Sequence, residues 1–271
     1  MLLAAAWAGP AAAHNPLTSS GQDQLAAILA AVMLAVVWLF YLRGLRARPA
    51  GAGPAGTFHF ALLLCVLSLF GPLDDWAKTS TAAHMTQHMA LMVVVAPIWV
   101  LSRPMPQLLL GSGRVLRRGW ILLLRLGARP MLCAYLHAAA IWFWHTPQFY
   151  MLAVEDPWWH GVEHACFLLT ALLFWWAVLA GAAKRAPWAL LALLFTLMHT
   201  GFLGAVLTFA DSPLYGEARS LADQQLAGLI MWVVGGIPYL VASAWVGWRW
   251  YRHLLRRMIG SGIQKGDLPG R

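Results

Sequence analysis

Seven long apolar runs recur along this chain, and each approaches the length that crosses a lipid bilayer. A transmembrane α-helix needs about 20 mostly apolar residues, because it rises about 1.5 Å per residue through a hydrocarbon core about 30 Å thick. Only 11% of the 271 residues are charged, whereas soluble domains average about 25%. We therefore predict an all-α, polytopic membrane helix bundle with seven transmembrane helices, at residues 24–43, 58–74, 83–102, 130–150, 158–181, 187–209 and 225–248.

Basic and acidic residues alternate between successive loops. The loops after the first, third, fifth and seventh runs are basic and cover residues 43–48, 103–129, 184–185 and 249–271. The opposite set is mainly acidic, with only Lys78 and Arg219 as basic residues. Under the positive-inside rule, the N-terminus lies outside and the C-terminus in the cytoplasm. The net charge of +9 then reflects topology and anionic headgroups, and no nucleic-acid partner is expected.

The two ends of the chain differ from the predicted bundle, which we assign to residues 24–252. Residues 1–13 are apolar, too short to span a bilayer, and end in an Ala-x-Ala pattern, so they are a candidate signal peptide. The basic start usual in signal peptides is missing, which leaves an uncleaved segment as the alternative. Residues 14–23 are predicted to be an extracytoplasmic tail, in which His14 could chelate copper after cleavage, and residues 253–271 a cytoplasmic tail.

Two pairs of histidines, each spaced four residues apart, lie at the edges of predicted spans. The first pair is His84 and His88, and the second is His160 and His164. Each pair shares one helix face, with about 6 Å between its members along the axis. Imidazole in hydrocarbon is costly unless it is hydrogen-bonded or coordinated. Both pairs are therefore predicted to bind a metal.

Further candidate ligands surround these pairs in the outer half of the bundle. His145 lies near the outer end of the fourth run, and His199 lies deeper in the sixth. Met85 and Met89 share the face of the first pair, and thioether with imidazole favours Cu(I), although methionine is also a common apolar filler. Glu163 is predicted to fix a histidine tautomer or to serve as an additional ligand.

Three other functions are open on the residues alone. Residues 160–164 match H-x-x-E-H, a zinc-protease signature, but Asp211 and Asp223 read as loop or helix-cap residues rather than as its distal ligand. A single haem between the third and fifth runs would make the protein a haem-dependent membrane enzyme. A copper permease would need ligands through the inner half, where the histidines thin out below His137.

Five sequence blocks together resemble the seven-helix CtaG family of cytochrome c oxidase assembly proteins. They lie between about residues 57 and 250 and read HMTQHM (84–89), WHTPQFY (144–150), WWHGVEHACFL (158–168), MHTGFLGAVLTFADSPLY (198–215) and LADQQLAGLIMW (221–232). The resemblance implies a multi-pass protein of the bacterial inner (plasma) membrane that takes part in the respiratory chain by maturing haem-copper oxidase. The arginine-rich loop at 103–129 matches none of these blocks.

Residues and resemblance together predict a metallochaperone without catalytic turnover. It would bind copper, as Cu(I), through its outer-half histidines and deliver it to the catalytic subunit of cytochrome c oxidase. The oxidase subunit, an extracytoplasmic copper donor and membrane lipid are the expected partners, and a homodimer is left open.

Overall fold

The computed structural model of the protein describes residues 21–216 and 220–266, with side chains except those of residues 115 and 260–266. Every regular element in this part of the chain is helical, which confirms the all-α prediction. The candidate signal peptide, His14 and the last five residues of the predicted cytoplasmic tail lie outside the described residues.

The described chain has six helical segments long and apolar enough to cross a membrane, and a seventh if one bent pair counts as a span. The prediction of a polytopic bundle is therefore confirmed at six to seven spans. The orientation inferred from loop charge stays a prediction. The six segments are Gly21–Ala47, Ala52–Ala77, Thr81–Leu101, Pro157–Leu179, Ala183–Thr208 and Leu221–Ile259.

The first two spans form one side of the bundle. Helix α1 covers Gly21–Ala47, and the second span consists of α2, Ala52–Phe70, and α3, Pro72–Ala77. The break between α2 and α3 falls at Gly71, whose backbone is extended before the helix-starting Pro72.

The third span changes helical register just below its histidines. Helix α4, Thr81–Met89, continues as a π-helical turn, Ala90–Val95, and then as α5, Ala96–Leu101. Pro97 has no N–H to give to the carbonyl of Met92, five residues earlier. The indole of Trp175 donates to that carbonyl at 2.8 Å. The third span thus contains a π-turn that a neighbouring helix stabilises.

The basic segment after the third span contains two helices. Helix α6, Met105–Gly111, packs closely on α1, since a Cβ on Gly111 would lie 1.7 Å from the carbonyl oxygen of Phe40. Helix α7, Gly113–Leu126, follows it, and its part from Leu116 onward is bent by 101° from the next helix.

The fourth apolar run is not one helix, so the predicted span at 130–150 is wrong in its C-terminal part. Helix α8 covers Pro130–Trp144, and α9 covers Pro147–Glu155. Proline disfavours helical backbone in the residue before it, and Thr146 is extended. The helix therefore ends before Pro147, which leaves His145 at the C-terminal cap of α8.

The remaining helices complete the bundle. Helix α10 covers Pro157–Leu179, and α11 covers Ala186–Thr208 after a short 3-10 turn. The last span consists of α12, Leu221–Leu229, a π-turn, Ile230–Val234, and α13, Gly236–Gly266. Helix α10 contributes more buried side chains to the main core than its neighbours, among them Phe167, Phe174 and Trp175. It faces the third span across this core.

Candidate metal centre

Four buried side chains from two spans bring their ligand atoms together. His84 and His88 come from α4, and His160 and Glu163 from α10; we call these four the His–Glu group. One ligand atom from each lies within 4.8 Å of the other three, and no member is more than 5% exposed. Atoms bound about 2.0–2.2 Å from one ion are at most about 4.4 Å apart. Small side-chain rotations would therefore place all four on a single ion.

The carboxylate of Glu163 is the centre of the His–Glu group. Its Oε2 lies 3.5 Å from Nε2 of His84 and 3.5 Å from Nε2 of His88. These separations are long for hydrogen bonds, and neither carboxylate oxygen nor either Nε2 has a hydrogen-bond partner among the described residues. A buried carboxylate without hydrogen bonds is strongly destabilising. A cation among these atoms would satisfy it, so the residues present fit a metal ion.

The start of α4 is fixed by side chains that cap it. Ser80 accepts from the backbone N–H of Ala83 at 3.1 Å, and its own hydroxyl donates to Asp223 at 2.8 Å. The other carboxylate oxygen of Asp223 accepts from the backbone N–H groups of Thr81 and Ala82. Asp223 therefore acts as a helix cap, as predicted, and it ties α12 to the first turn of α4. His84 follows within one turn of this anchor.

The start of α10 has its own cap. Asp156 accepts from the backbone N–H groups of Trp158 and Trp159 at 2.8 and 3.2 Å. His160 lies one turn after this cap, and Glu163 lies three residues further on, so both project from the same helix face. The two helices thus present their ligands from their first two turns.

The middle of α4 is held against the second span by one amide. Gln87 donates through Nε2 to Asp74 Oδ1 at 2.8 Å and to the carbonyl of Ser68 at 2.9 Å. This contact fixes the rotation of α4 between its two histidines. Neither Gln87 nor Asp74 was assigned to the site from the sequence.

His164 adjoins the His–Glu group without belonging to it. Its ring centroid lies 4.2 Å from that of His160 and 5.3 Å from that of His88. Its Nε2 is buried and has no hydrogen-bond partner among the described residues. The structure therefore brings both predicted histidine pairs together, with His164 in a flanking position.

His145 and Met85 also lie beside the group. Nδ1 of His145 donates to the carbonyl of Ile141 at 2.7 Å, and Nε2 lies 3.3 Å from the sulfur of Met85. The His145 ring centroid is 6.4 Å from that of His88. These two predicted ligands are thus neighbours of each other and of the first pair.

The two other predicted ligands lie elsewhere. A Cβ built on Gly235 would lie 2.7 Å from the sulfur of Met89, so Met89 packs in the contact between the third and last spans. The ring of His199 packs on Phe195, with ring centroids 5.1 Å apart. The structure does not bring Met89 or His199 into the His–Glu group.

Aromatic side chains enclose the group. The Tyr150 ring lies 5.1 Å from that of His84 and stacks on Tyr215 at 3.8 Å, while Phe167 lies 4.6 Å from His88. Burial raises the pKa of Tyr215, so its hydroxyl stays protonated and donates to the carbonyl of His145 at 3.3 Å. Sequence reasoning did not assign either tyrosine, although each ends one of the five blocks quoted above. Together the three rings keep bulk water from the buried imidazoles.

The five sequence blocks quoted above suggest a family, and a match to a family model bears this out. Residues 36–253 match the family of cytochrome c oxidase caa3 assembly factors, Caa3_CtaG. The chain belongs to this family. The resemblance to CtaG proteins is thereby confirmed over most of the chain. No curated protein and no solved structure matches it.

The region shared with the Caa3_CtaG family contains the whole site. It includes the His–Glu group, the flanking His164, the His145 and Met85 pair, and both enclosing tyrosines. The candidate signal peptide precedes it. The region that matches the family therefore includes every residue of the buried cluster.

The donor set of this Caa3_CtaG protein defines which chemistry the group can support. Three imidazole nitrogens and one carboxylate oxygen suit several first-row metals, including copper, zinc and iron. These ligand atoms lie in one compact space, not on the two sides of a flat gap that could hold a haem. A macrocycle between the two helices would separate His84 from Glu163, whereas their ligand atoms share one space. The geometry favours a single bound ion.

Proposed function

We propose that this protein is a metallochaperone that binds copper through His84, His88, His160 and Glu163. It delivers the ion to the catalytic subunit of a haem-copper cytochrome c oxidase. One observation carries the proposal: a buried carboxylate from one span faces two imidazoles of another, with no hydrogen bond among the described residues to satisfy it. Membership in an oxidase assembly family supplies the client.

Copper is the metal that links the His–Glu group to this client. The copper centre of a haem-copper oxidase is bound by imidazoles within the membrane. A donor that holds copper by imidazoles inside its own bundle can pass the ion to the oxidase centre by exchanging one ligand at a time. This route avoids exposing a bare ion to hydrocarbon, which is costly for any charge.

Charge balance favours the monovalent ion in this buried place. Glu163 contributes one negative charge, and the three imidazoles are neutral when they act as ligands. Cu(I) would make the site neutral overall, whereas Cu(II) or zinc would leave a net positive charge in the bundle. Burying an unbalanced charge has a large desolvation cost.

The predicted orientation places the site on the side from which copper would arrive. With the N-terminus outside, the third and fifth spans begin at the extracytoplasmic surface. The His–Glu group then lies near that surface, because its ligands follow the caps of α4 and α10 directly. An extracytoplasmic donor could load it there.

Metal analysis of the protein purified without oxygen tests the binding step. We expect stoichiometric copper in the wild type and its loss when His84, His88 and His160 are replaced by alanine. His59→Ala is the matched control, since the His59 ring bonds to Ala55 of its own helix turn and should leave copper unchanged. Zinc retention with peptide cleavage, or bound haem, would overturn the proposal.

Oxidase composition in cells tests the delivery step. We expect strains with His88→Ala or with His164→Ala to make oxidase that contains haem but is depleted of catalytic copper. The His59→Ala strain should make a complete oxidase. Normal oxidase copper in both mutant strains would contradict a delivery role.

A further inference from the structure

The tautomer of His145 follows from its backbone contact. Nδ1 lies 2.7 Å from the carbonyl oxygen of Ile141, on the preceding turn. A carbonyl oxygen can only accept, so Nδ1 carries the proton. In a neutral imidazole, Nε2 then has a lone pair and no hydrogen.

The lone pair of His145 faces another atom that cannot donate. Nε2 lies 3.3 Å from the sulfur of Met85, and a thioether sulfur has lone pairs but no proton. Met85 is fully buried, and His145 is 6% exposed. Two electron-pair donors thus face each other in a place with little access to water. In the neutral ring no proton lies between these two atoms, and a cation bound to both would use both lone pairs.

The separation of these two atoms suits a shared metal ion. With bonds of about 2.0 Å to nitrogen and about 2.3 Å to sulfur, atoms 3.3 Å apart subtend an angle of roughly 100° at the ion. This angle is close to the tetrahedral value. The side chains therefore need no large movement to bind one ion together.

We propose that Met85 and His145 form a second, soft copper position that gives the protein its preference for Cu(I) over zinc. This inference rests on the proposed function of the adjoining His–Glu group. Thioether and imidazole together select Cu(I) by ligand type. The nitrogen and oxygen ligands of the His–Glu group are also typical zinc ligands, so charge balance alone distinguishes the two ions there.

His88 connects the two positions. Its ring centroid lies 4.3 Å from that of His84 and 6.4 Å from that of His145. Neither of its ring nitrogens has a hydrogen-bond partner among the described residues. An ion can therefore keep one imidazole while it exchanges the carboxylate of Glu163 for the sulfur of Met85.

X-ray absorption at the copper edge tests this position on the full-length protein loaded anaerobically with Cu(I) alone. We expect a sulfur scatterer at about 2.3 Å from copper in the wild type, and its absence in Met85→Leu. Met89→Leu is the control, because Met89 packs against Gly235, and it should keep the sulfur signal. The wild-type spectrum decides the matter even if a variant fails to fold.

Metal competition separates this inference from the proposal on which it rests. Met85→Leu and His145→Ala should each weaken Cu(I) binding roughly 10- to 100-fold and leave zinc binding unchanged. Copper bound by nitrogen and oxygen alone, with unchanged Cu(I) affinity in Met85→Leu, would overturn the soft position and leave the His–Glu group intact. Failure of the wild type to bind copper would overturn both.

Discussion

Two sets of imidazoles lie inside this bundle, and they differ in what surrounds them; all members are buried except the half-buried His199. In the His–Glu group, rings from α4 and α10 converge on the carboxylate of Glu163. In the second set, His137 of α8 donates through Nδ1 to Thr170 at 2.9 Å, and His199 of α11 packs on Phe195.

The second set shows what burial alone provides. The hydroxyl of Thr170 already donates to the carbonyl of Cys166, so it accepts from His137 and leaves Nε2 of that ring without a proton. Neither ring faces a carboxylate in any contact that the described residues show. Buried imidazoles can thus serve packing and a local hydrogen bond, whereas convergence on a negative charge distinguishes the group that we propose as a metal site.

Removing the charge at the centre of the His–Glu group should have the largest effect. Glu163→Gln keeps the shape of the side chain and removes its negative charge, so we expect Cu(I) affinity to fall by roughly 100-fold. Competition with a chromophoric Cu(I) chelator measures the change. Glu155→Gln, at an exposed position of α9, is the matched control. Equal affinity in the two variants would remove the distinction between the two imidazole sets.

Removing the cap that fixes the start of α4 should have an intermediate effect on copper binding. Asp223→Ala removes the acceptor of the Ser80 hydroxyl and of two backbone N–H groups at the start of α4. We expect a loss of about 1–2 kcal/mol in the free energy of unfolding, with weaker copper binding because His84 lies one turn away. Thermal unfolding in detergent checks the first expectation.

The control for this change is Asp211→Ala, since Asp211 is exposed in the loop before α12. It should alter neither stability nor copper binding. If both aspartate variants weaken copper binding alike without loss of stability, the two carboxylates attract the ion and the capping role does not explain the site.

Altering the second imidazole set should have the smallest effect on copper. His199→Gln changes a ring that packs on Phe195, so we expect Cu(I) affinity to stay within about twofold of the wild type. The same chelator competition measures it. A loss as large as that in Glu163→Gln would make His199 a ligand and would merge the two sets.

Much of the fold could be predicted from the lengths of the apolar runs, because the thickness of a bilayer sets the length of a helix that spans it. The fourth span is the exception, since its apolar run continues across Pro147 while the helix does not. The π-turn before Pro97 was also beyond prediction, because it depends on the indole of Trp175, which is distant in sequence.

Helix periodicity could predict only which candidate ligands share a face of one helix. Four-residue spacing puts two histidines on one face, but it does not say which residues of another helix they meet. Glu163 was therefore expected in one of two roles, and its place at the centre comes from the packing of α4 on α10. His199 was predicted to be a ligand from its depth along a span. Depth does not determine in which direction the side chain points.

The central claim is that imidazoles from two separate spans and one carboxylate hold a single copper ion. Anomalous diffraction at the copper edge, on crystals of the full-length protein grown with Cu(I), tests it most directly. We predict one anomalous peak within about 2.0–2.2 Å of the ligand atoms of His84, His88, His160 and Glu163, or displaced toward the sulfur of Met85. Copper located away from α4 and α10, or rings of His84 and His160 that point apart around no ion, would contradict the account.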